Sequence, residues 1–214
     1  MDQGQPAGRG SLTVERILEE AMALADADGL AGLSMRALGK RLGVEGMAVY
    51  HHVANKEALL DALVDEVFRE IALPEGEDWR DGLRTRSVSE RHVLRRHPWA
   101  IGLVESRTAP GPVTLAHQDH VIGYLRAGGF GVRAAAQVLA FLDAYVYGFV
   151  LQEVAFPSDP TPVVDTLREP EGSTNPYPHL AAVVTEVVDA GYDFAEEFDV
   201  GLELLLDGIA SLRG

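Results

Sequence analysis

The sequence predicts an all-α fold: a three-helix N-terminal domain containing a helix-turn-helix, followed by a larger helical C-terminal domain. Three observations carry this. Apolar residues recur at i, i+3, i+4 and i+7 through most of the 214 residues, the signature of helices with one buried face. No stretch keeps the strict alternation of a half-buried strand. The periodic runs are punctuated by helix breakers, among them Gly29, Gly43, Pro74, Pro98, Gly128 and Gly191.

In chain order, a first helix starts behind Ser11 and Thr13, places Val14, Ile17, Leu18, Ala21, Leu24 and Ala25 on one face, and stops at Gly29. Ser34 is positioned to cap a short helix over 35–42 that Gly43 ends. A second short helix is expected over 46–52. Leu38, Leu42, Val44 and Val49 form the apolar junction between the two, so the pair reads as a helix-turn-helix. Asn55 caps the next helix, which runs to about residue 72 and turns Leu59, Leu60, Leu63, Val64, Val67 and Ile71 inward. Pro74 and the Glu-Gly-Glu after it mark a boundary. The expected organisation is a disordered tail over 1–10, a helix-turn-helix domain over 11–73 with its fourth helix as connector, and a C-terminal domain over 78–214. Within the last, helices are expected near 79–96, 98–106, 112–127, 131–155, 177–190 and 193–213. Six of the 11 prolines fall in 156–178, which predicts a long loop.

Two C-terminal segments differ from ordinary amphipathic helices. Residues 138–151 are apolar almost all round, and residues 194–212 more weakly so. A helix apolar on every side must be buried on every side, either at the centre of a monomer or against a second copy. The expectation is a homodimer through the helices near 131–155 and 193–213, with Gly201 and Gly208 letting backbones approach closely.

The chain has no cysteine, which fits a reducing, cytoplasmic setting. The first ten residues lack the apolar run of a signal peptide, and no stretch of 18 apolar residues is free of charge or Gly, so no membrane span is expected. A net charge of −15 argues, on average, against nucleic acid. The distribution reverses that inference. Sixteen of the 18 basic residues are Arg, and the two lysines, Lys40 and Lys56, both fall in the window 34–56. There Arg36, Lys40, Arg41 and Lys56 face a single acid, Glu45; the local charge of +3 leaves −18 for the rest. A compact basic island on an acidic body is the footprint of a focal anion site, although charge alone also allows an ordinary solvated face. On the helix-turn-helix it gains meaning, because such a unit lays its second helix in the major groove while basic side chains hold phosphates. Small residues at Gly46 and Ala48 keep that helix slim enough to approach base edges.

The stretch Leu42-Gly-Val-Glu-Gly-Met-Ala-Val-Tyr-His-His-Val-Ala-Asn-Lys-Glu-Ala-Leu-Leu-Asp61 resembles the TetR family of bacterial transcriptional regulators. Phe198-Asp-Val-Gly-Leu-Glu-Leu-Leu-Leu-Asp-Gly208 and the Asn-Pro-Tyr-Pro-His at 175–179 are similar to the tetracycline-repressor branch of that family. The resemblance implies a dimeric repressor that binds a palindromic double-stranded DNA operator and is released by a small-molecule effector. It implies that Ser34 caps the first motif helix and touches phosphate, and that Arg36 reaches a guanine edge. Met47, Ala48 and His51 face bases. Tyr50 and Lys56 hold the backbone, and His52 bonds phosphate or ties helices. It also implies an effector pocket among helices 5 to 8, with Arg86, Glu90, Val104, His117, Val121, Leu139, Asp143 and Tyr147 as its expected lining. Asp143 stands out as a charge inside an apolar helix that needs a partner, a ligand or a dimer contact. The branch's magnesium-coordinating His in its short sixth helix has no counterpart in Trp99-Ala-Ile-Gly-Leu-Val-Glu105, so a magnesium-bound drug is not the expected effector.

An enzymatic reading finds little support. No Gly-x-Ser-x-Gly, His-Glu-x-x-His or phosphate-cradling loop occurs. His117 and His120 share a helix face at a spacing able to bind a metal, but no third ligand lies within reach. His92 and His97 lie near a helix end where cations suit the dipole. No catalytic residue, metal or cofactor is expected. An activator or unliganded regulator on the same scaffold remains the alternative, and less plausibly an all-α binding module or enzyme without DNA binding.

Overall fold

The computed structural model describes residues 12–107, 109–156, 175–184, 186 and 191–213. The expected tail over 1–10 and residues 157–174 of the expected loop lie outside them. The described residues form helices and turns, with no strand among them. The helices are α1 (Val14–Gly32), α2 (Met35–Leu42), α3 (Gly46–Val49), α4 (Lys56–Glu70), α5 (Trp79–Arg96), α6 (Trp99–Ser106), α7 (Pro112–Ala127), α8 (Val132–Ala155), α9 (Pro178–Val183) and α10 (Phe194–Ala210). The chain divides into two compact units, up to Gly128 and from Gly129. This division differs from the sequence break at Pro74, because α5, α6 and α7 all pack on α4.

In the first unit α4 is the hub, in contact with α1, α5, α6 and α7. Its buried positions, Leu59, Leu60, Leu63, Val64, Asp65, Val67 and Phe68, leave no single solvent face over its middle turns. Caps read from sequence are made as expected. Thr13 accepts from Arg16 N, Ser34 from Ala37 N, and Asn55 from Ala58 N. Gly29 does not end α1 but kinks it: at φ +67° its backbone leaves the helix, and helical hydrogen bonding resumes to Gly32. The helix expected over 46–52 stops at Val49, where Tyr50, His51 and His52 continue as turns closed by i→i+3 bonds. Val49 through His52 have weak helix propensity, and Glu45 gives α3 no side-chain cap, so the last turn tightens.

Further along the same unit, α5 ends at His97, which is buried rather than solvent-facing. Its Nδ1 lies 2.7 Å from Asp26 Oδ1, the oxygen that also accepts from Trp99 Nε1. The residue ties α1 to the start of α6.

The second unit holds α8, α9 and α10. Ala135, Val138, Leu142, Val146 and Val150 form the buried stripe of α8, while Phe141, Leu151 and Val154 are exposed. By length and composition alone α8 is apolar enough to cross a membrane, but Arg133, Asp143, Gly148 and Glu153 interrupt it, as the sequence expectation had it. Six aromatic rings, Tyr145, Phe149, Phe156, Tyr192, Phe194 and Phe198, touch in series between α8 and α10. Gly201 has a partner inside this unit. A Cβ there would lie 2.3 Å from the Tyr145 hydroxyl, which donates to Phe198 O at 2.8 Å. The expected close approach at Gly201 is therefore between α10 and α8 of one chain, whereas a Cβ on Gly208 would meet nothing within 4 Å.

Candidate nucleic-acid interface

The helix-turn-helix is held together by what α2 and α3 lack. Gly39 on α2 is buried, and a Cβ on it would meet Gly46 N at 2.8 Å, Gly46 Cα at 2.9 Å and Val44 O at 2.9 Å. A Cβ on Gly46 would in turn meet the Met35 carbonyl at 3.0 Å. Two glycines thus let the helices meet backbone to backbone, with Leu38, Leu42 and Val49 sealing the junction and Val44 half-buried. Gly46 consequently serves the interior. The expectation that its small size slims the outward surface is corrected: its missing side chain faces α2. Gly43 makes the turn at φ +72°, which an L side chain rarely adopts, and its N–H bonds the carbonyls of Gly39 and Lys40.

With the inner face so fixed, the outer face follows. Ser34, Arg36, Lys40, Tyr50, His51, His52 and Lys56 are exposed, Ala48 is half-buried, and Met47 is 72% exposed. A thioether so exposed on a helix four residues long is not serving the core. Lys56 opens α4, where Asn55 caps the helix. Arg41 does not belong to the outward set: its Nε bonds Glu20 Oε2 on α1 at 2.8 Å. Arg69, Arg84, Arg96 and Arg107 also pair with acids. Among the described residues, Arg36, Lys40 and Lys56 form no ion pair. The focal charge is therefore three unpaired cations around α2, α3 and the start of α4.

The expected effector-pocket residues separate into the two units. Arg86, Glu90, Val104, His117 and Val121 belong to the first; Leu139, Asp143 and Tyr147 belong to the second. In the first unit, Arg86 and Glu90 are fully buried one turn apart on α5, with Nη1 3.1 Å from Oε2. Arg86 Nε donates to His117 Nε2 at 3.4 Å, and His117 meets Phe68 of α4 edge to face. Val121 is buried and Val104 half-buried. Leu139 and Tyr147 are buried and Asp143 half-buried in the second unit. His120 bonds Pro74 O at 3.2 Å, and no group of three metal-ligating side chains occurs among the described residues.

Burial, followed by the charges of Arg86 and His120, holds the His117 pKa down at about 4 against an ordinary 6.5. The folded protein thus keeps His117 neutral where the unfolded chain would take a proton. Its contribution to stability is whole above about pH 6.5 and drains as pH falls toward 4. Between about pH 7 and about pH 5 this costs about 2 kcal/mol. Thermal melts at the two pH values should differ less in His117→Gln than in the wild type. Equal differences would mean that His117 is not the group that titrates.

The sequence gives no local sign of two other contacts. Asp65 of α4 reaches across to cap α7, and Arg107 reaches back to α4. The only cues were an acid within the apolar run of α4 and a glycine, Gly111, at the head of a helix with no cap of its own.

Comparison with known proteins agrees with this geometry. A family model described as bacterial regulatory proteins, tetR family, matches residues 17–63, and one described as the tetracyclin repressor-like C-terminal domain matches residues 73–213. An HTH-type transcriptional regulator of Saccharopolyspora erythraea is 35% identical over 210 residues, covering 95% of this chain and 86% of that protein. The class A tetracycline repressor from transposon 1721 of Escherichia coli is 31% identical over 201 residues, covering 92% and 90%. The crystal structure of the Streptomyces coelicolor TetR family protein ActR in complex with actinorhodin superposes with a TM-score of 0.79 at 27% identity, covering 96% of this chain and 98% of that one.

Proposed function

Because the chain belongs to the TetR family of bacterial regulators, we propose that it binds a palindromic operator as a homodimer and represses transcription until a small molecule releases it. One observation carries the DNA-binding assignment: in a chain of net charge −15, Arg36, Lys40 and Lys56 stand unpaired on the outer face of the helix-turn-helix. Ser34, Arg36, Lys40, Gly46, Met47, Ala48, Tyr50, His51, His52 and Lys56 make up the proposed interface. Gly46 sets the pitch of the reading helix from beneath. Lys40, Tyr50 and Lys56 hold phosphates, and Arg36 reads a base edge.

The dimer reading is supported by the apolar surface that the second unit leaves exposed: Phe141, Leu151 and Val154 on α8, with Val200 and Leu204 on α10. A small-molecule effector is supported by the relatives, since one is a tetracycline repressor and another is bound to actinorhodin. The buried Arg86–Glu90–His117 cluster supplies polar groups of the kind that orient a ligand in a mostly apolar site. The mechanism is a shift of population: the effector binds better to the state whose two reading heads are wrongly spaced for successive major grooves. Such a regulator works in the cytoplasm, where the DNA is.

The test is a duplex selected from a randomised pool by the wild-type protein. Arg36→Ala is expected to weaken binding about 10-fold or more and to relax preference at one base pair per half-site, the cost of one bidentate base contact. Unchanged affinity and selectivity would remove Arg36 from the interface.

A further inference from the structure

The chain holds four methionines and no cysteine, so thioethers are the only sulfurs an oxidant can meet. Met1 lies outside the described residues, and the other three are not equivalent. Met35 on α2 is 9% exposed, its carbonyl against Gly46. Met22 on α1 is half-buried. Met47 on α3 is 72% exposed, the most open large apolar side chain among the described residues. Its place gives that exposure a consequence. Val49, two residues on, is fully buried and anchors α3 from beneath, while the Met47 thioether stands clear of the core. The unpaired Arg36, Lys40 and Lys56 share this outer surface of the helix-turn-helix.

We propose, resting on the reading that α3 faces the operator, that Met47 is an oxidation site through which peroxide-class oxidants keep the protein off DNA. A sulfur lone pair attacks one oxygen of hydrogen peroxide, and the S–O bond forms as the O–O bond breaks. The proton on the transferred oxygen passes to the departing hydroxide, which leaves as water. Sulfur gives up two electrons and the peroxide takes them, so no further reactant enters. The product is a polar, chiral sulfoxide. The fold is indifferent to the change, because so exposed a side chain carries little of the packing. Against a duplex the new oxygen is an unpaired acceptor where the thioether offered an apolar contact to a base. A bound duplex covers Met47, so oxidation acts on the free protein and blocks its return. Methionine sulfoxide reductases restore the thioether and make the site reversible.

Wild-type protein in dilute hydrogen peroxide should gain one oxygen atom at Met47 before Met22 or Met35, read by mass spectrometry of its peptides. Excess selected duplex should slow that gain. The oxidised protein should melt like the untreated one yet bind the selected duplex about 10-fold more weakly. The slope of log affinity against log salt should be unchanged, because no charge is lost. Methionine sulfoxide reductases should restore the affinity. Met47→Leu starts from an affinity of its own, which peroxide should leave where it was, whereas Met22→Leu should stay as sensitive as the wild type. Earlier oxidation of Met22 or Met35, no protection by the duplex, or full affinity with Met47 oxidised would each overturn the inference. So would a lowered salt slope, a loss that the reductases fail to reverse, or a loss that follows Met22 and persists in Met47→Leu. All of these leave the regulator reading intact. Failure of the untreated wild-type protein to retain any duplex at low salt would overturn both.

Discussion

Gly39→Ala should cost operator binding at least about 100-fold, although on an isolated helix the same change would help. Alanine is favoured over glycine in a helix interior by about 1 kcal/mol, and α2 would gain that amount. Against it stands the added methyl, 2.8–2.9 Å from the Gly46 backbone and the Val44 carbonyl. Those atoms belong to main chain in a tight turn and cannot swing aside as a flexible side chain would. Overpacking of this kind costs about 1–3 kcal/mol, so crowding outweighs propensity. The consequence for binding is larger than that for stability, because the strain is relieved by tilting α3 and so moves Met47, Ala48 and His51 together. Fluorescence anisotropy with the selected duplex, alongside a circular-dichroism melt, checks both. A variant that binds normally and melts higher would show that α2 and α3 are not packed backbone to backbone.

Asp65→Ala should be the most destabilising single change on α4 that leaves its hydrophobic residues intact. The carboxylate is 6% exposed and satisfies two backbone N–H groups and one hydroxyl at the head of α7. Gly111 stands where any side chain would collide with it, a Cβ lying 2.4–2.5 Å from the carboxylate atoms. Alanine leaves those donors without an acceptor in a site that water enters poorly, and it removes the negative charge facing the positive end of a 16-residue helix. The expected loss is about 3 kcal/mol, or roughly 10 °C in the melting of the first unit. Asp65→Asn, which keeps one oxygen, should lose about half as much. A loss below about 1 kcal/mol for the alanine variant would mean that α7 does not depend on this cap.

What could be read ahead of the structure was local. Ser34, Asn55 and Thr13 act on amides three residues away, so a short window contains both the cap and its target. The apolar stripe of α4 was legible for the same reason: periodicity is a property of neighbours. What escaped was either non-local or a matter of degree. Arg107 and Glu57 are 50 residues apart, as are, nearly, Thr114 and Asp65, and nothing near either carboxylate announces its partner. His97 read only as a residue at a helix end because its partner Asp26 lies on α1, 71 residues earlier in the chain. Gly29 read as a stop and proved a kink, since glycine permits both outcomes and packing beyond it decides. For the same reason, Gly46 and Gly201 were recognised as small without revealing which neighbour needed the space.

The two-glycine junction also bears on how such a protein diversifies. Every residue that fastens the second motif helix, Gly46 and Val49 above all, points inward. Those offered as reading the duplex, Met47, Ala48 and His51, carry little of the packing. Outward positions can then be exchanged without reopening the question of whether the head folds. Descendants of such a gene can drift to new target sites one substitution at a time, each intermediate remaining folded. Gly39 and Gly46 are the positions least free to change.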